Sequence, residues 1–329
     1  MEVSLERRQL LIFTALTAAS ILIFQISVVF FLLAIPLFII KQRYGFTYLV
    51  MAGLFVSIVI IVETIIRGSG IEGSNLRHFL IVAELVYPLS IIAGVIGFSY
   101  LRGKTIYSML SVTVGFAFLS FLIIFYYSGN EEIINLLKNQ IIYVSDMFRE
   151  TVTASDSFES SVLVKELQPD LIIESTLKLV FRNYLFAYFI MLSGSWFVAD
   201  SIQRRMNKRQ QFKLVDFYVP EIMIWPLIVV LAGVLLDVFI GISWLGYIMW
   251  NSAFIMIFLY GLHGIGLIKY ILDRYKIPGS GRRLITVFTI VILLLPGINL
   301  VVLIGIPIFG VSELWITYRS KGDSYENYS

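Results

Sequence analysis

Long apolar runs alternate with short polar, charged breaks along this chain. The runs cover residues 9–40, 47–66, 79–101, 105–127, 177–202, 219–240, 244–272 and 284–318. A helix needs about 20 apolar residues to cross a hydrocarbon core about 30 Å thick, because without water every backbone N–H and C=O must pair inside the segment. Most of the runs meet that length once, so each predicts a membrane-spanning helix. The first is too long for one ordinary crossing and carries Gln25 near its middle, between Ser20 and Ser27. It is expected to fold as a tight pair of short helices, 9–24 and 27–40. The last is interrupted by Pro296-Gly297-Ile298-Asn299, a helix breaker followed by turn-forming residues. It is either one broken helix or two short crossings, giving nine or ten in all.

Composition agrees with the pattern. The 329 residues are 58% hydrophobic and 14% charged, with a mean hydropathy of +0.88, against about 45–50% and about 25% in soluble domains. A water-soluble enzyme is excluded, and the expected fold class is all-α, a polytopic transmembrane helix bundle. Its expected divisions are an N-terminal bundle over 1–127, an external acidic segment over 128–176, a C-terminal bundle over 177–318 and a polar tail over 319–329. Within 128–176, Ile134, Leu137, Ile141, Val144 and Phe148 recur at helical spacing and predict an amphipathic helix, while 151–161, rich in Ser, Thr, Asp and Glu, reads as a loop.

The net charge of +3 matters less than where it lies. With the N-terminus in the cytoplasm, the alternate loops on that side collect fifteen Lys and Arg residues, against five outside (Arg67, Arg77, Lys138, Arg149 and Lys165). The expected location is therefore the cytoplasmic (inner) membrane, multi-pass, with a cytoplasmic N-terminus and membrane lipid as the surrounding partner. Arg7-Arg8 before an apolar stretch mimics a secretion signal, but the apolar run continues to Ile40, well past a signal peptide's about 7–15 residues.

Candidate chemistry is sparse. The chain has no cysteine and only two histidines, His78 and His263, so thiolate chemistry and imidazole-rich metal sites are not expected. Neither a Walker A loop nor HExxH nor GxSxG occurs. The reading is non-enzymatic, with no cofactor, no metal and no nucleic-acid partner.

Charges inside a span cost about 2.5–3.5 kcal/mol each on insertion scales, so each needs a reason. Glu63, Glu84, Lys178, Arg182 and Asp237 fall in the outer halves of their spans, with Asn251 slightly deeper, and these six are the candidate lining of a solute pocket. The competing explanations are local: Glu63 can pair with Arg67 at i,i+4, while Lys178 and Asp237 can snorkel to the boundary. Glu84 and Arg182, each five residues into its span, sit roughly 7–8 Å below the boundary and are expected to be neighbours. His263, in Gly261-Leu262-His263-Gly264-Ile265-Gly266, has no carboxylate near it in sequence. It reads as a packed hydrogen-bond donor, with a proton relay as the alternative, and Glu313 has no assigned partner. Ala15 and Ala19 present small residues at i and i+4, a surface suited to close packing within the chain or against a partner helix.

Several of these features together resemble a known family. Pro169 before a span, Phe212-Lys213-Leu214, Pro220 leading to Trp225, Asn251, then Gly261-Leu262-His263-Gly264 and a terminal Gly310 to Arg319 segment look like the YybS-like family of uncharacterised bacterial polytopic membrane proteins. More distantly, 11–53 is similar to the opening of the S-components of energy-coupling-factor transporters. There Ala15 and Ala19 match the small surface that meets the coupling subunit, and Pro36 with Tyr44-Gly45 matches the following hairpin. That resemblance implies binding of a small solute near the outer face and a transmembrane coupling subunit with ATPases as partners. Two functions follow as expectations: an S-component-like subunit for solute binding or transport, or a scaffold for a membrane or envelope complex.

Overall fold

The computed structural model describes residues 2–26, 29–70, 74–101, 105–129, 169–208, 213–241, 243–281, 299–316 and 318–319, with 131, 133–135, 138–139, 142–143 and 287 as short pieces between. Every extended element among them is helical and none is a strand. Six stretches are long and apolar enough to cross a membrane: Phe46–Gly68, Arg77–Tyr100, Thr105–Tyr126, Ile172–Met206, Glu221–Ile240 and Trp244–Arg274. Gln9–Gln25 and Leu300–Ser312 are apolar but shorter. The all-α polytopic class therefore stands as expected. The chain forms two compact units, Met1–Gln203 and Arg204–Ser329.

The first apolar run does divide. Helix α1 (Glu2–Gln25) stops at the predicted break, and after a 3-10 turn at Phe30–Leu33 the chain continues as α2 (Ala34–Tyr44). The Tyr44 hydroxyl donates to the Gln9 carbonyl at 3.0 Å and the Ser20 hydroxyl to the Leu33 carbonyl at 3.2 Å, so the two limbs form a hairpin. The second limb, turn plus helix, reaches only about 24 Å at about 2.0 and 1.5 Å per residue. That is less than the sequence reading asked of a full crossing. Instead α2 is packed inside the unit, with Leu33, Ala34, Leu37, Phe38 and Ile40 buried. Gly45, at φ +97°, ends it and starts α3 (Phe46–Gly68). Only a residue without Cβ adopts that turn cheaply.

The rest of the first unit is built from α4 (Ser74–Tyr100), α5 (Thr105–Val112), a π-helical step at Thr113–Ala117, α6 (Phe118–Ser128) and α7 (Pro169–Met206). Its interior is aromatic. Tyr87 meets Tyr184 and Tyr188 edge to face, with centroids 5.2 and 6.2 Å apart. Tyr188 donates to the Ser90 carbonyl at 2.7 Å, and Tyr184 to the Ser120 hydroxyl at 2.9 Å. Gly94 makes room for the Tyr188 phenol, since a Cβ there would collide with its oxygen.

The second unit holds α8 (Ile224–Ile240), α9 (Ser243–Arg274) and α10 (Asn299–Ser312), with 3-10 turns at Leu214–Asp216 and Glu221–Met223 leading into α8. Most of the segment 128–176, including Leu137, Ile141, Val144, Phe148 and the loop 151–161, lies outside the described residues. So does the Pro296-Gly297-Ile298 break, and the question of one or two crossings falls there.

Candidate functional site: polar residues inside the spans

In the N-terminal unit the polar candidates gather where α3 ends. Arg67 pairs with Glu63 one turn earlier, the local pair the spacing suggested, and also with Glu84 of α4 at 3.4 Å. The ion pair of Glu84 thus comes from a residue the sequence reading assigned only to Glu63. Both Arg67 and Glu84 are exposed, at 48% and 41% of their side-chain surface. A shallow, mainly apolar hollow runs beside them along α3, lined by Ile58, Val62, Glu63, Ile66 and Arg67. On α7, Arg182 is half-buried and Lys178, one turn earlier, is exposed.

Asp237 and Asn251 belong to the C-terminal unit. Asp237 was expected to have the option of snorkelling; instead it is buried, at 5% exposure. It accepts a hydrogen bond from the Trp250 indole at 3.0 Å. The reason is close helix packing: Gly246 of α9 lies against the Asp237 carboxylate so tightly that a Cβ would collide with it. Asn251 is fully buried and its amide donates to the Tyr247 carbonyl one turn back at 2.6 Å.

The densest buried polar cluster was not assembled by the sequence reading. Its centre is His263, 0% exposed, about 16 Å along α9 from Arg274 and about 30 Å from Ser243. Its Nε2 lies 2.5 Å from Glu313 Oε2, just past the end of α10. The other Glu313 oxygen faces Arg319 Nε at 3.3 Å, and Arg319 donates through a terminal nitrogen to the Phe217 carbonyl at 3.2 Å. Glu313 and Arg319 keep only 8% and 6% of their side chains exposed. The Tyr218 ring stands edge-on to the imidazole at 5.2 Å, and Tyr260 stacks one turn away at 6.4 Å. Among the described residues, His263 Nδ1, the Tyr260 hydroxyl, and Nε and one terminal nitrogen of Arg319 are buried without a hydrogen-bond partner.

Glycine makes this cluster possible. A Cβ on Gly264 would strike the Ile306 carbonyl, one on Gly310 the Tyr260 carbonyl, and one on Gly266 the Leu214 carbonyl. The backbones of α9, α10 and the turn before α8 therefore touch around His263, which brings a carboxylate fifty positions away into contact. The glycines around His263 were the signal available in the sequence. Its partner side chain was not readable, because nothing local ties residue 263 to 313.

On α1 the inward face is Thr17, Ser20 and Phe24, whereas Ala15 and Ala18 are exposed and Ala19 is half-buried. The small-residue surface at Ala15 thus points away from the packed hairpin.

Comparison with known proteins gives one match: the model of a family described as predicted membrane protein (DUF2232) fits residues 11–307. No curated protein matches the chain and no solved structure does.

Proposed function

The chain belongs to this family of membrane proteins, and from that premise we propose that it is a non-enzymatic, multi-pass subunit that binds or moves a small solute, in the manner of an S-component. One observation carries the reading: a buried His–Glu–Arg network inside an apolar helix bundle. Replacing a buried ion network by packed apolar side chains is often neutral or stabilising, so a purely structural bundle gains nothing by keeping one. Ionisable groups at membrane depth mark ion and substrate handling by default. Glu63, Glu84, Lys178 and Arg182 of the first unit are the proposed points of solute contact. An inner-membrane location with a cytoplasmic N-terminus completes the reading.

The test is thermal melting of purified protein in lipid nanodiscs with and without fractionated cell metabolites. A solute-binding subunit melts at higher temperature with one fraction, and Glu84→Gln or Arg182→Gln removes that rise while leaving the basal melt close to wild type. No stabilisation by any fraction overturns the solute reading.

A scaffold function is the second reading, favoured by the outward position of Ala15 and Ala18 on α1. A coupling subunit or another membrane complex would dock there. Ala15→Leu with Ala19→Leu would then leave insertion and folding intact but abolish recovery of the bound protein from native membranes. Full recovery from the double variant rules out docking at this face.

A further inference from the structure

We propose that His263, Glu313 and Arg319 form a binding site for a single exchangeable proton, carried by the His263–Glu313 pair. The proposal deepens the transport reading, on which it rests, by naming the ion the network handles. Its first support is geometry. Nε2 and Oε2 are hydrogen-bonded, so one proton is held between the ring and the carboxylate, and the imidazole has no contact with solvent.

The second support is the charge balance around the ring. From the terminal segment, Glu313 and Arg319 face it, and their charges cancel. From the segment before α8 comes the Tyr218 ring, while Asp216 of the adjoining 3-10 turn is exposed. Helix α10 contributes no titratable side chain, and on α9 itself the neighbour is Tyr260. Asp237 of α8 is engaged with Trp250, thirteen residues from His263 along α9. The Tyr218 hydroxyl donates to Glu221 Oε1 at 3.4 Å, at the exposed end of that ring. Among the described residues, then, protonation of His263 takes the His263–Glu313–Arg319 set from neutral to a net +1.

The third support is the free end of the ring. The Glu313 carboxylate, an acceptor, fixes the ring proton on Nε2. Among the described residues Nδ1 is buried with no partner, which leaves it as the nitrogen that takes up the second proton. Binding forms one N–H bond on the imidazole with a proton from water, and release returns it to water. The charged ring and Arg319 then flank the carboxylate from its two oxygens, Oε2 and Oε1.

Because the chain holds only two histidines, the full-length His78→Gln protein leaves His263 as the sole imidazole. The experiment is nitrogen NMR of that protein, labelled at histidine, in lipid nanodiscs between pH 5 and 9. The expected result is conversion of the neutral ring to imidazolium as pH falls, with Glu313→Gln keeping the ring neutral further into the acid range. Glu313→Asp serves if the Gln variant does not fold, and is expected to retain the conversion. A spectrum that stays unchanged across the range, or one indifferent to residue 313, overturns the proton site. The two readings fail separately: a silent His263 with solute stabilisation intact removes the proton site alone. A titrating His263 with no solute effect removes the transport reading.

Discussion

Arg319 stays buried by donating through one terminal nitrogen to the Phe217 carbonyl and by pairing its charge with the Glu313 carboxylate. Taking that cation away leaves a buried carboxylate with only His263 for compensation. Arg319→Gln should therefore cost on the order of 3–5 kcal/mol, read as a large drop in melting temperature in detergent. Arg319→Lys should recover only part, because one ammonium cannot reproduce the planar fork. The exposed pair Arg67–Glu84 behaves differently: Glu84→Gln should change stability by less than about 1 kcal/mol. A melting curve for Glu84→Gln as depressed as that for Arg319→Gln would overturn this ranking. At this scale the Glu63–Arg67 pair was legible, because i,i+4 on one helix is a local distance. Glu84 with Arg67, and His263 with Glu313, join different elements, and helical periodicity carries no information about which helices meet.

Between elements, contact is decided by backbone approach. Helices α9 and α10 meet at Gly264 and Gly310, where a methyl group would run into a carbonyl of the facing helix. Gly264→Ala or Gly310→Ala should force the crossing apart, costing about 1–3 kcal/mol as overpacking does. Either variant should also lower hydrogen-exchange protection in α10. Gly305→Ala is the control, because a Cβ there meets nothing within 4 Å. It should be neutral, or stabilise by up to about 1 kcal/mol through helix propensity. Equal effects at 264 and 305 would mean that the crossing is looser than described. The division of the first run was equally an element-scale prediction. Its break at Gln25 and the shortness of its two limbs were visible in the sequence, but the burial of the second limb was not. A limb enclosed by other helices has no need to match the bilayer thickness that lipid-facing helices must meet.

For the whole molecule, the membrane is the solvent and charge sets the threading. The basic loops near Gln210 and Ser280 are expected inside, and the acidic segment near Ser128 and Ser157 outside. The cysteine-free chain makes the test direct, with single cysteines at those four positions and an impermeant thiol reagent on intact cells. Ser128 and Ser157 should label and Gln210 and Ser280 should not; the reverse pattern inverts the topology. What the sequence determined by itself is the helical class, the location of most spans and the candidate charges within them. Each follows from local composition acting against a low-dielectric solvent: about 20 apolar residues must become helix there, and a charge must be explained. Only the tertiary structure decided that Asp237 is held by Trp250 rather than reaching the boundary, that Glu84 meets Arg67, and that His263, Glu313 and Arg319 form one buried network. Those pairings depend on which backbones come together at glycines, and that is a property of packed helices that no stretch of sequence carries alone.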